Sequence, residues 1–183
     1  MILIPGELIA VLTFPGVILH EFAHKIACNL LDIKINQICY FQAKNPSGYV
    51  IHEPPNTIFE SLLITIMPII IGYGCAAFIA LITNDLATNF LWWVGMWFSF
   101  SLSMHALSSS EDVDNLWAYL RGQRFILEHE GQYVEISYTS PLTWRIVLYP
   151  LGTIIKIISA LRVLWADAII SYFLIFAVIR VSG

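Results

Sequence analysis

The chain has 183 residues, of which 58% are hydrophobic and only 12% charged, and its net charge is −4. Ordinary soluble domains carry about 25% charged residues, so this composition argues against a water-soluble globule and for a multi-pass membrane protein. The negative balance leaves no basic face for nucleic acid, and Cys28, Cys39 and Cys75, which form no CxxC or closely spaced pair, predict no disulfide.

The N-terminal stretch MILIPGELIAVL has neither a basic segment nor a small-residue cleavage site. It is therefore expected to stay in the mature chain rather than act as a signal peptide. A first span is predicted from about Glu7 to Leu31, and it contains HEFAH, His20-Glu21-Phe22-Ala23-His24. On a helix, histidines four residues apart stand one turn apart on one face, so both imidazoles reach a single ion. Glu21 points beside that face, where it can take a proton from an attacking water without itself being a ligand. Ionisable residues inside a span are costly and by default mark a functional site. The competing account is a buried polar network with Glu21 paired to Lys25. Pro15 and Gly16, one turn before His20, are expected to loosen or kink the helix.

The polar region 32–56 follows. Ile33, Ile35, Ile38, Tyr40 and Phe41 alternate with polar residues, "NPSG" at Asn45 to Gly48 signals a turn, and Pro54-Pro55 ends the run. This predicts a β-hairpin. Further spans are predicted at about 57–83 and 89–107. The second polar region, 108–142, opens with EDVDNLWAYLRG, a short helix with acidic residues at its N-terminus. A second hairpin then turns at Glu130-Gly131. The apolar region from about Thr143 to Arg180 is too long for one span and divides near Arg162 and Asp167, giving spans at about 143–161 and 165–180. Lys25, Lys34, Lys44, Arg121, Arg124 and Arg145 gather in or beside the two polar regions, whereas the loop near Asn84 to Thr88 carries only Asp85. The polar regions are therefore expected to face the cytoplasm and the N-terminus the outside.

The expected architecture is mainly α: one domain over 1–183, a polytopic membrane helix bundle of about 4–5 spans with short β-hairpin insertions on the cytoplasmic side. A catalytic zinc site needs a third protein ligand besides the two histidines. Of the remaining histidines, His105 lies with Glu111, Asp112 and Asp114 in SMHALSSSEDVDNLW at the inner end of the third span. That end emerges near the depth of HEFAH. At most one of the three acids needs to be a ligand, and a solvated helix N-cap accounts for the others.

An apolar helix bearing HEFAH, the hairpin-like IKINQICYFQAKNPSGYV after it and an aspartate at the end of a later span together resemble the site-2 protease family of intramembrane zinc metalloproteases. GYVIHEPP and MHALSSSEDV are similar to a small, divergent microbial branch, over about residues 7–117. The resemblance implies Zn2+ held by His20, His24 and Asp112, with Glu21 activating water. It implies hydrolysis of peptide bonds in membrane-embedded or membrane-proximal substrates, with lipid bilayer and peptide as partners. The chain departs from the family pattern in having Val113 after Asp112 and Ser108 where the branch has proline. His105 is the runner-up third ligand, with Asp114 and Glu111 behind it. Two other functions stand as alternatives: a metal-dependent membrane binding or transport protein, and a prenyl-protein-processing type of zinc peptidase with Glu60 as third ligand.

Overall fold

A computed structural model of the protein describes residues 6–84, 86, 90–122, 124–129, 132–137, 142–161 and 166–182. The described chain is mainly helical: α1 (Gly6–Leu12), α2 (Phe14–Leu30), β1 (Ile35–Cys39), β2 (Tyr49–His52), α3 (Ile58–Asn84), α4 (Phe90–Met104), α5 (Ser110–Arg121), β3 (Arg124–His129), β4 (Gln132–Ser137), α6 (Leu142–Leu161) and α7 (Ala166–Ser182). Every expected helix and both hairpins have a counterpart in this order. The turn at Glu130-Gly131, Asp85 in the loop after α3, and Arg162 in the break between the last two helices lie outside the described residues.

The expected continuous first span is instead two helices, α1 and α2, that meet at an angle of 89°. The break falls at Thr13, not at Pro15-Gly16. Pro15 sits in the first turn of α2, where the backbone N–H it lacks would have had no helical partner in any case. Gly16 lets α2 approach α4 closely: a Cβ there would run into the Ser101 carbonyl and lie 2.8 Å from Cδ2 of His105.

The helices α2, α3 and α4 pack together around the centre of the molecule, and α7 lies against α3 and α4. On α3, Pro68, Gly72, Ala76 and Ala80 are all buried. Their four-residue spacing makes a small-residue seam that lets backbones close up, the packing mode of helices in lipid. A Cβ on Gly72 would fall 2.6 Å from Cβ of Ala106, and Ser99 Oγ on α4 donates to the Ala76 carbonyl at 2.8 Å. An apolar cluster joins the start of α3 to α5 and α6, through Ile58, Leu62, Val113, Leu116, Leu120 and Leu148. Tyr119, in the same cluster, donates its hydroxyl to the Pro55 carbonyl at 2.8 Å.

The first hairpin is antiparallel, with Ile35 opposite His52 and Cys39 opposite Tyr49, and carries an irregularity between Ile35 and Gln37. Glu53 N donates to the Lys34 carbonyl at 2.8 Å and extends the pairing. The loop between the strands closes on itself: Gln42 N donates to the Ser47 carbonyl at 2.7 Å, and Gln42 Nε2 to the Pro46 carbonyl at 2.6 Å.

Among the described residues α3 is the one single helix long and apolar enough to cross a membrane, and α1 with α2 passes only as a bent pair. α4 and the Ile146–Ala160 part of α6 are shorter apolar helices.

Candidate metal centre

His20, Glu21 and His24 lie in the middle of α2. The helical repeat stacks the two imidazoles one turn apart, with their Nε2 atoms 3.1 Å from each other. Asp112, 88 residues further on than His24, arrives from α5. Its Oδ1 lies 3.4 Å from His24 Nε2 and its Oδ2 3.5 Å from His20 Nε2. These three are the residues whose ligand atoms converge among those described, all within 4.8 Å of one another.

The donor set fits zinc. Zinc bonds imidazole nitrogen and carboxylate oxygen at about 2.0–2.2 Å in a tetrahedron, which puts neighbouring ligand atoms about 3.3 Å apart. The two Nε2 atoms are 3.1 Å apart, and each has its own Asp112 oxygen close by, Oδ1 at 3.4 Å from His24 and Oδ2 at 3.5 Å from His20, so that one ligand atom from each residue falls within 4.8 Å of the others, and a small shift gathers them on one ion. Two imidazoles and one carboxylate also leave the fourth position that a catalytic site keeps open.

The ring orientations agree with this use. His20 Nδ1 lies 2.7 Å from the His105 backbone carbonyl. A carbonyl only accepts, so Nδ1 carries the proton and donates it, and Nε2 presents its lone pair to the centre.

Asp112 is held by the start of its own helix. Ser109 is the N-cap of α5 and Asp112 the third helical residue, forming a reciprocal capping box. Asp112 Oδ2 accepts from Ser109 N at 2.8 Å and from Ser109 Oγ at 2.7 Å, while Ser109 Oγ accepts from Asp112 N at 3.1 Å. Burial works to raise the Asp112 carboxyl. In the metal-free site, with the imidazoles protonated, the charges and hydrogen bonds of His24 and His20 outweigh it and hold the group well below the ordinary carboxylate range. The loop before α5 is tied to α3 by Ser108 Oγ, which donates to the Thr65 carbonyl at 2.5 Å.

Glu21 is 8% exposed. It faces the first hairpin's loop, where a Cβ on Gly48 would lie 2.7 Å from Glu21 Cγ and 2.9 Å from its Oε1. Only a residue without a side chain lets the loop come this close. Around the centre opens a cleft of about 920 Å³. Its walls are α1, the hairpin from Asn45 to His52, the start of α5 and the start of α7, and Glu7, Tyr49 and Glu111 line it.

The other sequence candidates fall elsewhere. The ring of His105 faces Thr13, whose Oγ1 is 2.7 Å from His105 Nε2. Asp114 is exposed and accepts from Lys156 Nζ of α6 at 3.0 Å. Glu111 lies on the exposed rim of the cleft. Glu60 Oε2 accepts from Asn56 N at 2.7 Å and serves the start of α3, so the prenyl-processing alternative lacks its ligand at the centre. His52 lines the cleft.

Sequence reasoning missed Gly48, Thr13 and Ser109 as supports of the site. The S-x-x-D spacing of Ser109 and Asp112 is itself a capping-box signature. Gly48 reads in sequence only as a turn residue, and Thr13 carries no local signal.

A family model described as "Putative zincin peptidase" matches residues 13–124, from the break before α2 to the first residue of β3, and so includes every residue of the centre. Comparison with curated proteins and with solved structures gives no match.

Proposed function

On the premise that the chain belongs to this zincin peptidase family, matched over residues 13–124, we propose that it is an intramembrane zinc metalloendopeptidase of the site-2 protease type. The observation that carries the reading is the convergence of His20 Nε2, His24 Nε2 and the Asp112 carboxylate, with Glu21 beside them. His20, His24 and Asp112 would hold the metal. When bound, zinc supplies a Lewis acid that polarises the scissile carbonyl and brings the pKa of water to about 7.

Glu21 is the general base. It takes the proton of the attacking water and passes it to the leaving amine. It is a neighbour of the ligands rather than one of them, so its carboxylate stays available for the proton. Burial under the hairpin loop keeps it close to the cleft and away from bulk water.

The membrane setting is supported by the apolar surface. Phe78 is 63% exposed, Phe90 78%, Ile146 65% and Phe173 62%, and such residues lie along α3, α4, α6 and α7. A water-soluble protein of this size rarely leaves so much large apolar surface open. In this reading the four or five spans are α1 with α2, α3, α4, and the α6–α7 region as one span or two, with the polar regions in the cytoplasm. Peptide bonds of a membrane helix are hydrogen-bonded internally, so the substrate must unwind before it is cut. The start of β2 lines the same cleft as Glu21, so the reading has an extended segment of substrate entering that cleft by strand addition to the hairpin. Substrates are thus membrane proteins or membrane-proximal peptides.

The test uses full-length protein in detergent with a model membrane peptide. Glu21→Gln is expected to keep one zinc per chain and lose cleavage by about 10²–10⁴-fold, the usual contribution of a general base. Undiminished cleavage by Glu21→Gln would refute the mechanism. Zinc binding without peptide cleavage by the native chain would favour the metal-dependent binding protein.

A further inference from the structure

The break between α1 and α2 is wired to the metal centre through His105. Thr13 ends α1 with its backbone N donating to the Ile9 carbonyl at 2.9 Å, and its Oγ1 donates to the same carbonyl at 2.6 Å. A threonine hydroxyl has a single proton, and here the Ile9 carbonyl, which only accepts, takes it. The 2.7 Å contact between Thr13 Oγ1 and His105 Nε2 must then run the other way, with His105 Nε2–H as donor. A protonated Nε2 has no lone pair for a metal, and His105 is not among the residues whose ligand atoms converge on the centre. The backbone carbonyl of the same His105 accepts from His20 Nδ1 at 2.7 Å and so fixes the ring and tautomer of a ligand. Ser101, one turn before His105 on α4, completes the clamp. Its Oγ donates to the Thr13 carbonyl at 2.8 Å and accepts from Gly16 N at 3.0 Å.

We propose that His105 is a positioning residue, its imidazole anchored on Thr13 so that its own backbone carbonyl holds His20 in the metal-binding tautomer. The proposal rests on His20 being a zinc ligand, as in the function proposed above. It replaces the ligand role that sequence suggested for His105 with one exerted through His20. It also gives the helix break a purpose: an unbroken helix through Thr13 would carry its hydroxyl along the helix surface with no reason to meet α4. Partners of metal-ligating histidines that fix ring orientation typically contribute 10–100-fold in metal affinity.

The experiment measures zinc affinity by chelator competition and the visible absorption of the cobalt-substituted protein, both on full-length chain in detergent. Thr13→Val removes the hydroxyl and keeps the shape. It is expected to weaken zinc binding about 10–100-fold and to alter the cobalt bands, while Thr13→Ser retains native values. His105→Gln, whose amide N–H2 can still reach Thr13, is expected to bind zinc within a few-fold of native, and His105→Leu to match Thr13→Val. Native zinc affinity and native cobalt bands in Thr13→Val would overturn the proposal. Loss of the zinc ion in His105→Gln as complete as in His24→Ala would also overturn it, because His105 would then be a ligand. A native chain that binds zinc but cuts no peptide leaves the positioning role intact and removes only the peptidase reading.

Discussion

At Asp112 one carboxylate oxygen takes two hydrogen bonds from Ser109, and both oxygens lie within 3.5 Å of an imidazole nitrogen. Substitution can separate the two uses. Asp112→Asn keeps an acceptor for the cap and loses the charge, so zinc affinity is expected to fall while the metal-free chain unfolds near the native temperature. Asp112→Ala loses both, and the metal-free chain is expected to be about 1 kcal/mol less stable, the usual worth of a helix cap. Thermal unfolding with and without chelator distinguishes them. At Gly48 the expected effect is on turnover. A methyl group in Gly48→Ala must displace Glu21 at its Cγ, 2.7 Å away, and misplacing a catalytic group by about 1 Å costs on the order of 10²-fold. Zinc binding should be unchanged, which a titration of metal content checks. The histidines and Glu21 were legible because helical geometry alone puts residues i and i+4 together. Asp112 was reachable through resemblance but not through local pattern. Its approach depends on how α5 leaves α4 and docks on α3, through Ser108 and Thr65, contacts between residues 43 apart.

On the scale of elements, the close approach of α2 to α4 sets the distance between HEFAH and the His105 carbonyl. Gly16 faces the Ser101 carbonyl, a backbone atom that cannot step aside. Gly16→Ala is expected to destabilise the protein by about 1–3 kcal/mol and to weaken zinc binding with it. Chelator competition alongside thermal unfolding measures both. Helix order and both hairpins could be read from apolar runs, turn residues and polar interruptions. The 89° bend at Thr13 could not. Pro15 and Gly16 are the helix-breaking types, yet proline is at home in a first helical turn and glycine here serves close packing. The bend is held by hydrogen bonds between Thr13 and Ser101 of α4 and His105 just after it, which leave no trace in the residues next to the bend.

For the molecule as a whole, the apolar surface and the loop charges make separate predictions. Membranes holding the protein should retain it through alkaline carbonate washing, and its release into the supernatant would contradict the span assignment. Orientation is testable at Cys39, a free cysteine at the end of β1. In a chain with Cys28 and Cys75 replaced by alanine, a membrane-impermeant thiol reagent should label Cys39 only after the cells are opened. Labelling of intact cells would place the hairpin outside. Zinc should also stabilise the fold, by about 2.7 kcal/mol when free metal is a hundred times its dissociation constant.

The proposed centre holds one zinc ion between two imidazoles and a carboxylate from two distant helices. X-ray absorption at the zinc edge on full-length protein with one bound zinc reports the ligands directly. Scattering is expected from two imidazoles at about 2.0–2.1 Å with the remaining ligands oxygen, and this signature should be lost in His24→Ala. A sulfur ligand at about 2.3 Å, or a third imidazole, would contradict it.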